Sequence, residues 1–237
     1  MHFSKTIGIL GGMGPSASAA MYQKIIQICQ EQYQAVQDTD YPKIMLYSLP
    51  LTGFDETGIV DDVHVFQQLQ VGISKLVSAG SDVIVMACNT VHVFYNQLQA
   101  QCPVPIVHMV EETVQVVAGY KTVAVLSSET TAKTELYVNA LRAQGSHVVI
   151  PSASQQMVVT SVITHVMAGV QTNADVQDLQ VICDNLRAKG ATAIVLGCTE
   201  LPLVLQQVHL ELPLYDATSI VSTALLKHAL ASLSDTL

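Results

Sequence analysis

Basic residues are scarce in this sequence, and their scarcity excludes two kinds of partner. The 237 residues contain 10 Lys plus Arg against 19 Asp plus Glu, which gives a formal net charge of −9 at pH 7. A nucleic-acid-binding surface needs clustered positive charge, and an anionic membrane surface attracts the same kind of cluster. No window of the sequence carries one. We therefore expect no nucleic-acid partner and no membrane partner.

Long apolar runs, targeting segments and paired cysteine motifs are also missing. The apolar run around VIVMAC is far too short to cross a bilayer, and glycines interrupt the N-terminal run before it reaches the length of a signal-peptide core. The five cysteines form no C-x-x-C motif, and the eight histidines do not cluster with them at metal-ligand spacing. The sequence therefore predicts a soluble cytoplasmic protein with reduced thiols and no metal.

Hydrophobic residues make up half of the sequence and follow an alternation of strands and helices. Short runs rich in β-branched residues are typical of strands buried on both faces, and the stretches between them are typical of covering helices. We therefore predict the fold class α/β, with parallel sheets. Strands are expected at 5–11, 43–49, 82–88, 104–109, 122–128 and 192–198, and helices at 16–34, 63–79, 91–101, 161–168 and 175–188.

The sequence contains an internal repeat. TIGIL in the first strand is matched by TVAVL from Thr122, SAGSDVIVMACNT is matched by AKGATAIVLGCTE, and PVPIVHM is matched by ELPLYDA. Three matches in the same order predict two pseudo-symmetric parallel-sheet α/β domains that face each other across a cleft. We place the first domain at 1–105 plus 208–237 and the second at 106–207.

Cys88 and Cys198 occupy matched positions in this repeat, each at the end of a predicted strand. Ligands of parallel α/β sheets bind beyond the carboxyl ends of the strands. Each cysteine is also expected to precede a helix, whose N-terminal dipole would lower the pKa of the thiol. Two opposed thiols can exchange a proton at a carbon from both faces, one removing a proton and the other delivering one. This arrangement predicts inversion of a stereocentre.

The glycine-rich segment that starts at Gly11 follows the first predicted strand and matches a known motif. Gly12 to Ala17 fits G-x-G-x-x-A, the spacing of a dinucleotide-binding loop. Such a site also needs an acidic residue at the end of the second strand, and Ser48-Leu49-Pro50 stands there instead. We therefore expect backbone amides of this loop to approach a carboxylate at a helix N-terminus.

The segments GGMGP, ACNTVH and GCTELP, in this order along nearly the whole chain, resemble the aspartate racemase branch of the aspartate/glutamate racemase superfamily. The resemblance implies a cofactor-independent amino-acid racemase, needing neither pyridoxal phosphate nor metal, that works as a homodimer. It implies that Cys88 and Cys198 are the catalytic acid and base. It also implies that residues from both domains bind the amino-acid substrate, namely Met13, Gly14, Asn89, Thr90, Ser128, Thr131 and Thr199.

Two positions depart from the aspartate enzymes that this sequence resembles. Those enzymes tend to carry Arg within an Asp-Arg-Thr segment and Lys before an Ala-Gly pair, where this sequence has Glu56 and Met167. The two arginines of the sequence, Arg142 and Arg187, lie at predicted helix C-termini, where cations complement the helix dipole. We therefore expect a broad or non-acidic substrate preference.

His92 and Glu200 follow the two cysteines and are candidate supporting residues. Each can position or deprotonate its thiol, or can simply face solvent. Two alternatives to an amino-acid racemase stay open. One is another proton-transfer enzyme of the superfamily, of the hydantoin racemase, maleate isomerase or decarboxylase type, and the other is a small-ligand-binding relative without catalysis. The retained pair of cysteines favours racemisation because some of those relatives keep only one.

Overall fold

A computed structural model describes residues 2–205 and 210–230, which form two compact units. The first unit contains the described residues of Met1–Thr52, Asp62–Met109 and Thr218–Leu237. The second contains those of Gly53–Asp61 and Val110–Ala217.

Each unit is built on a parallel sheet of four strands. In the first unit the strands are β1 (Ile7–Gly11), β2 (Ile44–Ser48), β3 (Val83–Met86) and β4 (Ile106–Val107), in the order β2–β1–β3–β4. In the second they are β5 (Thr122–Leu126), β6 (His147–Val149), β7 (Ala193–Leu196) and β8 (Leu214–Asp216), in the order β6–β5–β7–β8. β1, β3 and β7 are buried along their whole length, as expected for parallel strands covered on both faces.

Helices connect these strands. In chain order they are α1 (Pro15–Tyr33), α2 (Asp62–Ser78), α3 (Tyr95–Gln99), α4 (Met109–Val116), α5 (Glu129–Lys133), α6 (Leu136–Ala143), α7 (Ala153–Ala168), α8 (Asn173–Ala188), α9 (Leu201–Leu205) and α10 (Ala217–Ala229). Local signals explain several ends. Pro15 opens α1, where its missing N–H leaves no helical bond unmade, and a capping box between Ser152 and Gln155 starts α7.

The predicted fold class is confirmed, and the internal repeat accounts for the identical strand orders. The matched segments TIGIL and TVAVL lie in β1 and β5, while the segments that contain Cys88 and Cys198 follow β3 and β7. The pairing is matched in register, because Leu10 pairs with Met86 in the first sheet and Leu126 pairs with Leu196 in the second.

The units differ from the predicted domain boundaries at three segments. Residues 106–109 belong to the first unit because β4 pairs with β3, and residues 210–217 belong to the second because β8 pairs with β7. Residues 53–61 also belong to the second unit, where their backbone is bonded to α5. The predicted boundary between 207 and 208 lies outside the described residues.

Three helices differ from the sequence-based expectation. The helix predicted at 161–168 is α7, which begins eight residues earlier at Ala153. The predicted helix 91–101 is a 3-10 turn at Thr90–Phe94 followed by the short α3. α4 was not predicted, because its eight residues follow β4 directly and include several β-branched side chains with a weak helical preference.

Candidate active site

The first candidate cluster is the Cys88 loop, residues 87–92, which starts at the carboxyl end of β3. The Ala87 N–H donates to the carbonyl oxygen of Leu10 over 2.8 Å, so the loop starts beside the end of β1. Cys88, Asn89 and Thr90 are all buried there. The structure therefore places the three residues together at the sheet edge where the sequence predicted them.

His92 holds this loop through both ring nitrogens. Nδ1 lies 2.9 Å from the carbonyl oxygen of Cys88, and Nε2 accepts the Met109 N–H over 3.2 Å. The acceptor role of Nε2 leaves the proton on Nδ1, which donates to Cys88. Burial, followed by the neighbouring His108 ring, lowers the pKa of His92 to about 3. His92 is therefore a buried, neutral ring that bonds two backbone groups and does not face solvent.

The glycine-rich loop follows β1 in the same unit. Gly12 has a φ of +94°, and a Cβ at this position would collide with the Leu49 backbone. The Gly12 N–H donates to Ser18 Oγ over 2.9 Å, and the Ser18 hydroxyl donates to the Gly14 carbonyl oxygen over 2.8 Å. The Gly12 amide, which the sequence predicted to face a carboxylate, is therefore engaged within the loop. Met13 and Gly14 are buried beside it.

The second candidate cluster starts at the carboxyl end of β7, in the Cys198 loop, residues 197–202. The Gly197 N–H donates to the Leu126 carbonyl oxygen over 2.7 Å, the counterpart of the bond made by Ala87. The thiol of Cys198 donates to Glu200 Oε2 over 3.1 Å, and the Thr199 hydroxyl donates to the same oxygen over 2.9 Å. Cys198 and Glu200 are 6% and 4% exposed, so this pairing is shielded from water.

The electrostatic surroundings of Cys198 differ from the prediction. Burial, then the charges of Glu200 and Glu56, raise the pKa of the Cys198 thiol well above its usual value. Burial also raises the pKa of Glu200. The expected lowering by a helix dipole does not occur at Cys198, because the thiol is buried among carboxyl groups.

Ser128 and Thr131 meet at the start of α5. Ser128 is the N-cap residue of this helix, and its Oγ accepts the Thr131 N–H over 3.2 Å. The Ser128 hydroxyl donates to Thr131 Oγ1 over 3.1 Å. Because β5 and β7 are neighbours in the sheet, this predicted pair begins at the same sheet edge as the Cys198 loop.

Glu56 joins the second cluster from a distant part of the sequence. Its carboxyl group is hydrogen-bonded to Ser128 and lies close enough to Cys198 and Glu200 for the charges to interact. Burial, then Glu200 and Asp55, raise the pKa of Glu56 to about 7. Sequence reasoning noted Glu56 only as a departure from an arginine pattern and missed this placement. We call Cys198, Thr199, Glu200, Glu56 and Ser128 the acidic thiol cluster.

The remaining singled-out residues lie outside the acidic thiol cluster, and one of them, Arg142, lines a cavity of about 570 Å³ together with Thr131. Arg142 and Arg187 occupy the last turns of α6 and α8, as predicted. Met167 is exposed near the end of α7. Within residues 2–205 and 210–230, the His, Cys, Asp and Glu side chains include no group of three or more suited to holding a metal ion. In the same part of the chain, no helix combines the length and apolarity that crossing a membrane requires.

Comparisons with known proteins agree with this architecture. The pattern of the Asp/Glu/hydantoin racemase family matches residues 10–225. The broad specificity amino-acid racemase RacX of Bacillus subtilis is 32% identical over 229 residues, which cover 95% of this chain and 98% of that protein.

Solved structures show the same similarity in three dimensions. The Picrophilus torridus aspartate racemase has a TM-score of 0.82 and 27% identity, over 95% of this chain and 94% of that one. An aspartate racemase homologue from Pyrococcus horikoshii has a TM-score of 0.79 and 25% identity, over 95% of this chain and 99% of that one. The fold, the nearly complete coverage and the family pattern lead to one conclusion, as the sequence resemblance predicted: this chain belongs to the Asp/Glu/hydantoin racemase family.

Proposed function

We propose that this chain is an amino-acid racemase that inverts the α-carbon by two-base proton transfer between Cys88 and Cys198. The observation that carries the proposal is the matched placement of two buried cysteines after β3 and β7, with the Cys198 thiol donating to Glu200 over 3.1 Å. A reaction of this kind needs one thiolate and one thiol acting on the same carbon from opposite sides.

The proton transfer balances without an added reagent. One thiolate takes the α-hydrogen as a proton, forming its S–H bond, and the electron pair of the broken C–H bond is delocalised into the substrate carboxylate. The opposite thiol then gives its proton to the other face of the carbon and becomes the thiolate. The substrate leaves with inverted configuration, and solvent exchange restores the starting protonation of the two thiols.

The substrate itself activates Cys198. In the free protein, burial and two carboxyl groups keep this thiol protonated at neutral pH, since they raise its pKa well above the usual value. The α-ammonium of an amino acid brings a positive charge, which lowers the cost of forming negative charge in the cluster. The Glu200 carboxylate, already an acceptor for the thiol, takes its proton.

We assign substrate binding to buried polar groups near the two cysteines. Hydroxyls and amides can donate to a carboxylate without a formal positive charge. Met13 and Gly14 shape the wall of the site, as the resemblance implies. The donors are the side chains of Asn89, Thr90, Ser128, Thr131 and Thr199, all of them buried.

We propose a broad or non-acidic substrate preference. Support comes from the RacX relative, whose name gives it broad specificity, and from the carboxyl groups of Glu56 and Glu200 beside Cys198. A substrate with a carboxylate side chain would add negative charge to this cluster. We further propose a cytoplasmic homodimer that needs no cofactor, as the resemblance implies, and analytical ultracentrifugation would measure the number of chains.

Chiral chromatography of the purified chain with single L-amino acids tests the proposal. We expect the D-enantiomer of at least one amino acid to accumulate without added cofactor. Cys88→Ser and Cys198→Ser should each reduce the rate by about a hundredfold or more. Cys102→Ser is the matched control and should keep the wild-type rate, because Cys102 is neither of the paired cysteines. Turnover unchanged in both active-site variants would contradict the assignment.

A further inference from the structure

Glu56 reaches the acidic thiol cluster on a loop that is bonded to α5 at three consecutive residues. The Asp55 carbonyl oxygen accepts the Thr130 hydroxyl over 2.7 Å, and the Glu56 carbonyl oxygen accepts the Thr130 N–H over 3.1 Å. The Thr57 carbonyl oxygen accepts Lys133 Nζ over 2.9 Å. These bonds fix the backbone on both sides of Glu56 and hold its carboxyl group beside Ser128.

The loop is also ordered internally. The Asp55 carboxylate accepts the N–H and the hydroxyl of Thr57, each over 2.7 Å, and the N–H of Gly58 over 3.1 Å. An aspartate that closes a turn in this way is engaged by its own loop. The Glu56 carboxyl group is therefore the acidic side chain of the loop that is directed toward Ser128 and the charge of Glu200.

This carboxyl group has no positive partner within the described residues. The ion pairs in that part of the chain join Lys133 to Glu129, His165 to Asp175 and Arg187 to Glu211, and none includes Glu56 or Glu200. Two half-buried or buried carboxyl groups beside a thiol, without a cation, repel one another when ionised. A ligand that supplies a cation would remove that repulsion.

We propose that Glu56 is a specificity-determining residue that selects amino acids with a positively charged side chain, an ammonium or a guanidinium. This inference rests on the proposed racemase function and names its substrate class. The Glu56 carboxylate pairs with the cationic end of the side chain while the thiols act on the α-carbon. Neutral side chains are accepted less well, and a carboxylate side chain is repelled.

The position of Glu56 relative to Cys198 distinguishes side-chain recognition from binding of the α-ammonium. Glu200 is hydrogen-bonded to the reacting thiol, whereas Glu56 acts on that thiol through charge alone. The α-ammonium is attached to the carbon that the thiol must approach, so it lies within reach of Glu200. A cation further along the substrate side chain can then pair with Glu56, the second carboxyl group whose charge acts on the thiol.

Racemisation of L-lysine, L-norleucine and L-glutamate by the wild type, by Glu56→Gln and by Glu135→Gln tests the proposal. Norleucine matches the length of lysine without its ammonium. We expect wild-type kcat/KM to favour lysine over norleucine by about tenfold or more, the size of one charge-assisted hydrogen bond. Glu56→Gln should remove most of this preference, so that the lysine-to-norleucine ratio of kcat/KM falls toward one, whatever common change in rate follows from the loss of its charge beside Cys198. Glu135→Gln removes a negative charge at an exposed site and should keep the preference.

The outcomes separate the proposal from the function on which it rests. Equal wild-type kcat/KM for lysine and norleucine, or a preference for glutamate, would overturn the proposal while the racemase function stands. An equal loss for all three substrates in Glu56→Gln would overturn it too, because it would place Glu56 at the shared α-substituents or in the fold. The wild-type comparison stands even where the variant fails to fold. No racemisation of any amino acid would overturn both.

Discussion

The Cys88 loop and the Cys198 loop begin alike and diverge within two residues. Each follows the third strand of its sheet, and each makes the same backbone bond to the neighbouring strand, through Ala87 and Gly197. Two residues after the cysteine stand Thr90 and Glu200. Four residues after it, the first loop has His92, whose neutral ring bonds two backbone groups. The second loop surrounds its thiol with carboxyl groups.

This difference shows which properties come from the repeat and which do not. Strand pairing places a cysteine at the same edge of both sheets, because the matched strands have the same neighbours. The protonation chemistry comes from side chains that the repeat does not share. In the Cys88 loop an imidazole shapes the backbone, and in the Cys198 loop a carboxylate contacts the sulfur.

The largest effect is expected from His92→Ala. It leaves the Cys88 carbonyl and the Met109 N–H without their ring partner and opens a cavity, which should lower the free energy of unfolding by about 3–5 kcal/mol. Pro202→Ala, the same number of residues after Cys198, should cost less than about 1 kcal/mol. Denaturant titration of both variants measures the contrast, and equal stabilities would contradict it.

The same variant has a pH signature. The pKa of His92 is about 3 in the folded protein and 6.5 in its ordinary state. Below pH 6.5 His92 therefore binds a proton in the unfolded chain but not in the folded chain. As a result, the wild type loses stability as pH falls from 6.5 toward 3. This contribution is at most about 1.4 kcal/mol per pH unit. The stability difference between wild type and His92→Ala, measured by denaturant titration at several pH values, should therefore shrink as pH falls. A difference that does not change with pH would show that His92 is exposed to solvent in the folded state.

Glu200→Gln should have the next largest effect, on catalysis. The amide can still accept a hydrogen bond but cannot take the proton of Cys198, so kcat should fall by about a hundredfold. Removing the charge should also lower the pKa of the thiol and move the thiol limb of the pH–rate profile to lower pH. A purely structural Glu200 predicts a lower rate with an unmoved profile. Glu135→Gln serves as the charge-matched control.

Gly197→Ala and Ala87→Gly should lower the free energy of unfolding by different amounts, and this difference between the two loops is smaller than the effects above. A Cβ at Gly197 would lie 2.7 Å from Cε2 of the buried Tyr137 ring, and the resulting overpacking should cost about 2 kcal/mol of unfolding free energy. Ala87→Gly adds only backbone entropy, about 0.5–1 kcal/mol. Thermal unfolding of the pair gives the comparison, and a larger loss for Ala87→Gly would contradict it.

Much of the fold was predictable from local pattern. Continuous apolar runs identified β1, β3, β5 and β7, and the repeat indicated two similar sheets, because strands buried on both faces leave a clear signal. The helix after Cys88 was predicted too long. Thr90–Phe94 is a 3-10 turn and α3 has five residues, and the apolar spacing does not distinguish these short segments from a longer helix.

Most residues of the candidate site could be proposed from the sequence, but the charges that surround Cys198 could not. The cysteines were identified from their matched positions in the repeat, and the Ser128–Thr131 pair from the family resemblance. The placement of Glu56 depends on hydrogen bonds between a loop and a helix more than 70 residues apart, Asp55 to Thr130 among them, and no local pattern encodes it. The raised pKa of Cys198 follows from that placement and from burial, so the sequence predicted the wrong direction.

Deuterium exchange in heavy water tests the two-cysteine account most directly. Cys88→Ser and Cys198→Ser are each incubated with the L- and the D-enantiomer of a turned-over amino acid, and incorporation at the α-carbon is followed by mass spectrometry. Two-base transfer predicts that each variant exchanges the α-hydrogen of one enantiomer without inverting it, and that the two variants act on opposite enantiomers. Exchange of the same enantiomer by both variants, or full racemisation by either, would contradict it.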